Sequence, residues 1–214
     1  YVAQFNGQSS YINFPVSWPY GKNITAVAWI NLNLIPSNNA GIVSAVSSKN
    51  YGTLSTFPNG NCYIQVGVTN SSGSWFATDT SNCIAPNNWY QIVAWANQSS
   101  KTYGLYINGK LQFTSSFSGI LEPATSFNIG LFSYQGAYFP GKISNVQIYN
   151  ISLSPSEVQA LYQEGIGGAP IDLQHLVGWW PLNGNANDYS GNDNNGQINN
   201  VNFVSNWWNG YTPP

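Results

Sequence analysis

WYQIVAWANQSSKTYGLYINGKLQFTSS, residues 89–116, is the stretch whose reading decides the fold. Within it, Asn108-Gly109 separates two strand-like runs, 103–107 and 110–115. Asn-Gly supplies the two positive-φ positions of a type I′ turn, so the pair predicts a hairpin. Upstream, Trp89, Gln91, Val93 and Trp95 alternate with Tyr90, Ile92, Ala94 and Ala96. Both faces of that run are largely apolar, which places it inside a sheet covered on both sides. A hairpin beside a buried central strand is the seed of a layered all-β domain.

The flanking sequence extends the pattern. Runs 2–5 and 10–14 surround Asn6-Gly7 and predict a second hairpin. ITAVAWINL, residues 24–32, is β-branched and long enough for a central strand. Further strands are expected at 41–47, 51–56, 62–69, 74–79, 127–132 and 142–149. With these the chain reads as about twelve strands at the spacing of a sandwich. One helix interrupts the series, near residues 155–164. Ser154-Pro155-Ser156-Glu157 is a capping box, Val158, Leu161 and Tyr162 share a face, and Gly165 is the stop. Beyond a Gly-rich connector, strands are expected again at 176–182 and 197–204, separated by the polar loop 183–196.

Composition narrows the function. A length of 214 residues allows one large sandwich or two small domains. Only 6% of residues are charged, the five basic side chains are all lysine, and net charge is −2. Nucleic acid is excluded as a partner, since phosphate neutralisation needs clustered Lys or Arg. With seven carboxylates, stability is expected to depend weakly on pH. The thermolabile Asn-Gly pairs argue against hot neutral water, and an extracellular or cell-surface setting, acidic or neutral, fits. No apolar run reaches membrane length. Membrane attachment is expected only through a segment outside this chain.

Candidate sites follow from residue types. Cys62 and Cys83 either bridge or remain two buried thiols; a secreted β protein favours the bridge, stapling a hairpin. Sequons begin at Asn23, Asn70, Asn97 and Asn150, with Asn70 and Asn97 in the most loop-like segments. In the 183–196 loop, Asp188 and Asp193 stand among amides that suit calcium; the competing reading is that Asn and Asp build Asx turns there. Trp18, Trp75, Trp180 and Trp208 fall in or near turns and are candidates for stacking on sugars. Trp29, Trp89 and Trp95 lie in strands and are assigned to packing. His175 lacks a nucleophile partner, and no two of the seven carboxylates pair on an expected strand, so hydrolysis is not expected.

The order of these elements resembles the laminin-G-like, concanavalin A-like lectin/glucanase jelly-roll family. FNGQSSYINFP (5–15) is similar to its F-(D/N)-G-x-x-x-Y-(V/I) opening, and ITAVAWINL to its T-(V/I)-x-x-W-(V/I) strand. NNWYQIVA (87–94) with LYINGKL (105–111) resembles its W-x-x-(I/V)-(V/A) strand and Y-(V/I)-(N/D)-G-K hairpin. GKISNVQIYNISLSPSEVQALY (141–162) resembles its closing strand and short helix. The resemblance implies a two-sheet antiparallel jelly roll over residues 1–214. One segment departs from the family order: LVGWWPLNGNANDYSGNDNNGQINNVNFV (176–204) looks like the part that usually comes first. Residues 173–206 are therefore expected to supply closing strands, within this chain, as the start of a second repeat, or by donation to a neighbour. The family implies a non-catalytic adhesion or recognition module binding glycans or cell-surface proteins. The displaced segment and uncharged surface keep a second expectation, the self-assembling subunit of a surface filament or coat.

Overall fold

The computed structural model describes residues 1–49 and 52–205. In chain order its elements are β1 (Val2–Asn6), β2 (Tyr11–Phe14), β3 (Ile24–Leu32), β4 (Val43–Val46), β5 (Ser55–Pro58), β6 (Ile64–Thr69), β7 (Trp75–Asp79), β8 (Tyr90–Asn97) and β9 (Thr102–Ile107). There follow β10 (Lys110–Ser116), β11 (Ser126–Ile129), β12 (Leu131–Phe132), β13 (Ala137–Tyr138), β14 (Pro140–Tyr149), α1 (Pro155–Glu164), β15 (Leu176–Trp180), β16 (Gln197–Asn199) and β17 (Asn202–Val204). Two antiparallel sheets face each other as a jelly-roll sandwich. One has seven strands in the order β16-β2-β11-β4-β5-β6-β7; the other runs β10-β9-β8-β3-β14-β1-β17, with β15 also on β14.

The hairpin that opened the sequence reading is present. Asn108 and Gly109 hold φ values of 51° and 75° between β9 and β10. A bulge between Leu111 and Phe113 interrupts that ladder. β8 is covered on both sides, with Ile92 and Ala94 in the inter-sheet core and Val93 under α1. Ser154 Oγ accepts from the Glu157 N–H at 3.3 Å, and Glu157 Oε1 accepts from the Ser154 N–H at 3.1 Å. The capped helix buries Val158 and Leu161 on the outer face of the eight-stranded sheet, where Tyr162 stacks on Trp29. Trp29 and Trp95 thus pack outside that sheet rather than between the two.

Three expectations need correction. β1 and β2 are not a hairpin: β1 pairs with β14 and β17, while β2 pairs with β11 and β16 in the other sheet. The Asn6 side chain accepts from the N–H groups of Gln8, Ser9 and Ser10, turning the chain across the sandwich edge. The run 127–132 splits at Gly130, whose φ is 81° and whose absent Cβ leaves room for the Phe5 ring. The chain there leaves the sheet and forms the β12–β13 hairpin. Expected strand 51–56 is β5, shifted to Ser55–Pro58, and Tyr51 lies outside the described residues.

The C-terminal strands pair within this chain. β1 lies opposite residues 140–143 of β14, and β15 lies opposite 146–149 on the same flank. Asn145, at φ 49°, marks the junction between them. β16 extends the seven-stranded sheet beside β2, and β17 extends the other beside β1. Trp180, fully buried, packs 4.2 Å from Phe14 across the core.

Candidate functional site

Strand alternation decides what the seven-stranded sheet shows on its outer side. Ile12, Phe14, Val43, Ala45, Val66, Val68, Phe127 and Ile129 point into the core. Their neighbours point out. The register then aligns Asn13, Asn128, Ser44, Ser55, Gly67 and Ala77 as one row across five strand pairs. Asn13 Nδ2 donates to Asn128 Oδ1 at 2.8 Å, and Asn128 Nδ2 donates to Ser133 Oγ at 2.5 Å. Ser44 Oγ is buried and has no hydrogen-bond partner.

At the far end of that row the sheet carries an aromatic shelf. A Cβ on Gly67 would stand 2.1 Å from the Trp75 ring, so the indole lies directly on the bare glycine backbone. Trp75 packs against Phe57 and Phe132, which stack at 4.5 Å and 26°. Tyr134, exposed on the β12–β13 hairpin, extends the shelf 6.4 Å from Phe132. The hairpin thus folds over the sheet, burying Ser44, Ser55, Asn128, Phe57 and Phe132 and leaving Trp75 and Tyr134 as the accessible aromatics.

Beyond Trp75 lies an unusual carboxylate. The Glu122 N–H donates to the Thr69 carbonyl at 2.9 Å beside the Asn70–Leu121 bridge, making Thr69 and Glu122 cross-strand neighbours. Glu122 is only 1% exposed. Ser47 Oγ donates to its Oε1 at 3.0 Å, while Oε2 and the Thr69 hydroxyl have no partner. Nothing in the local sequence marked Glu122, because its setting arises from a loop crossing the ends of β4 and β6. A mid-strand glycine such as Gly67 was the one readable sign of the shelf, signalling close approach.

The tryptophans singled out from sequence separate. Trp75 is on the outer face. Trp18 and Trp180 are core residues: Trp18 packs edge-on to Phe127, and Trp180 Nε1 donates to the Asn194 carbonyl at 2.9 Å. Trp208 lies outside the described residues. Cys62 and Cys83 form a disulfide with a Cα separation of 4.8 Å, joining the ends of the β6–β7 hairpin. Asp188 accepts from the N–H groups of Trp179, Ser190 and Asn194, and Asp193 from the Asn195 amide. Those donors occupy the Asp188 carboxylate and make it the organiser of the loop. Among the described residues no cluster of three or more His, Cys, Asp or Glu could hold a metal ion. His175 Nδ1 lies 3.0 Å from Asp172, away from the shelf.

Of the sequon asparagines, Asn70 is buried, with Nδ2 donating to the Ser118 carbonyl at 2.8 Å. A glycan on that nitrogen would break this bond, contrary to the expectation from sequence. Asn23 and Asn97 are half-buried and accept through Oδ1 from the Gln98 and Ser100 N–H groups. Asn150 follows β14 and is half-buried.

Residues 6–159 match the laminin-G-type family model of the Concanavalin A-like lectin/glucanases superfamily. The chain belongs to this superfamily. Among solved structures it is similar to a candidate carbohydrate-binding protein from Bacteroides ovatus ATCC 8483, at 17% identity and a TM-score of 0.70. That match covers 95% of this chain and 60% of the Bacteroides protein. A heptameric SAP-like pentraxin from Limulus polyphemus matches at 16% identity and a TM-score of 0.61, over 76% of this chain and 82% of the pentraxin. The CBM40 of the Ruminococcus gnavus IT-sialidase matches at 17% identity and a TM-score of 0.56, over 66% of this chain and 83% of that one. At such identities the likeness is one of fold. No curated protein matches the sequence. Among the described residues no helix is long and apolar enough to cross a membrane.

Proposed function

We propose that this chain is an extracellular, non-catalytic recognition module of the lectin-like superfamily, taking a neutral glycan on the outer face of its seven-stranded sheet. The observation that carries the reading is the half-buried Trp75 ring seated on Gly67, next to the accessible Gln65–Asp79 pair on the same face of β6 and β7. An aromatic face meets the C–H side of a sugar ring, and amides and hydroxyls meet its hydroxyl groups. The same family of folds occurs in a candidate carbohydrate-binding protein and in a sialidase's CBM40, which is support by analogy only.

Charge placement argues against hydrolysis. Asp79 pairs with Gln65 on β6, while Glu122 neighbours Thr69 four residues further along. At strand rise that separates the carboxylates by ~13 Å, beyond the spacing either glycosidase mechanism needs. A second reading, the adhesive filament or coat subunit, draws no support from the sheet edges, because the three-residue strands β16 and β17 pair within this chain and are short enough to blunt them. A monomer on size-exclusion chromatography at high protein concentration would count against it.

The test is a glycan array followed by calorimetry on the hits. Trp75→Ala and Gly67→Ala should each weaken binding about tenfold, ~1.4 kcal/mol. The first removes the shelf and the second displaces it. A silent array, or hits bound by both variants as tightly as by the parent chain, would overturn the proposal.

A further inference from the structure

Five loops meet at one end of the sandwich, built around residues 116–122. The Gly21 N–H donates to the Leu121 carbonyl at 2.9 Å and the Ser71 N–H to the Ile120 carbonyl at 2.7 Å. Gln98 donates through Nε2 to the Gly119 carbonyl at 3.0 Å and accepts from the Leu121 N–H at 2.7 Å. Asn70 holds the Ser118 carbonyl. The end is therefore a braced platform, not a set of separate loops.

Three of the five lysines stand on it. Lys101 Nζ donates to the Gly119 carbonyl at 2.7 Å, and Lys49 Nζ to the Ser71 carbonyl. Lys22 adjoins Gly21, and its carbonyl accepts from Trp18 Nε1. Among the described residues none of the three forms an ion pair with a carboxylate, and the one carboxylate in these loops, Glu122, is buried. Each ammonium keeps N–H donors for an outside anion. The same platform exposes two large apolar side chains, Ile120 at 51% and Tyr20 at 61%. They are neighbours, since Ile120 lies against Gly21.

We propose that this end of the sandwich docks on an anionic lipid surface, with Ile120 and Tyr20 entering the headgroup boundary and Lys22, Lys49 and Lys101 paired with lipid phosphates. Charge complementarity selects an acidic partner. The apex residue selects lipid over an acidic polysaccharide: an aliphatic Ile offers a sugar no stacking face, whereas acyl chains and a Tyr ring suit the membrane interface. The proposal is independent of the sugar shelf.

The test uses the chain produced without glycans, because Asn23 and Asn97 border the same end. Flotation is compared with vesicles of phosphatidylglycerol in phosphatidylcholine and with phosphatidylcholine alone. Binding should require the anionic lipid and fall at high salt. Lys22→Gln, Lys49→Gln and Lys101→Gln should each lower partitioning about fivefold, and Ile120→Ser by a similar factor. Lys142→Gln, on β14, should leave it unchanged. Thermal midpoints of the variants report whether they remain folded. No vesicle binding, equal binding to both vesicles, or anionic binding untouched by the Lys and Ile changes would each overturn the proposal. Capture by dextran sulfate that is indifferent to Ile120→Ser, without vesicle binding, would reassign the end to acidic polymers.

Discussion

Trp180→Ala tests whether residues 176–204 are an integral part of the sandwich. Trp180 has no exposed surface, packs 4.2 Å from Phe14 and donates its indole N–H to the Asn194 carbonyl. Truncating a buried tryptophan costs about 3–5 kcal/mol through lost burial and the cavity left behind. The Asn194 carbonyl, deprived of its donor, adds about 1 kcal/mol. For a domain of this size each kcal/mol moves the midpoint by roughly 2–4 °C, so the melting temperature should fall by roughly 10–20 °C. Leu173→Ala, at a side chain 73% exposed just outside the segment, is the control; its effect should stay within about 0.5 kcal/mol. Differential scanning calorimetry should show a single transition in both variants. If Trp180→Ala melts no lower than Leu173→Ala, the segment does not hold the sheets together, and the reasoning from β15, β16 and β17 fails.

Two further predictions concern buried polar groups. Glu122→Gln keeps an acceptor for Ser47 and replaces a buried, unpartnered carboxylate oxygen by a neutral amide; it should stabilise by about 1–2 kcal/mol in urea titration, and a loss of stability would refute the account of that carboxylate. Burial pushes the Tyr149 hydroxyl well above the ordinary tyrosine range, with smaller contributions of the same sign from Asp172 and Glu157. Because the folded state holds this proton more tightly, its contribution is complete below the unfolded value, about 10, and is lost as pH rises beyond it. Urea midpoints measured at neutral and strongly alkaline pH should fall less for Tyr149→Phe than for the parent chain, and parallel losses would refute this.

Local signals carried much of the architecture. Asn108-Gly109 fixed a hairpin because only a few residues tolerate its backbone angles, and Ser154 with Glu157 fixed a helix start by mutual hydrogen bonds. What failed was anything decided across strands. Trp18 and Trp180 stand near turns yet fill the core, since turn chemistry says where the chain bends and not which side faces Phe127 or Phe14. Asn6-Gly7 bends the chain as expected, but the next strand joins the opposite sheet. The shelf needed the Trp75 ring to reach diagonally over Gly67 on the neighbouring strand, and the buried Glu122 needed a loop laid over β6. Neither juxtaposition is written in any single stretch.

Val2 and Val204 face each other as cross-strand partners, about 5 Å apart between Cα atoms. A short turn joining these two points, with a fresh cut placed in the connector between α1 and β15, would put residues 176–204 ahead of β1 while every ladder stayed as it is. The sandwich thus behaves as a closed circuit of strands, and which link is left open is a matter of gene arrangement more than of folding.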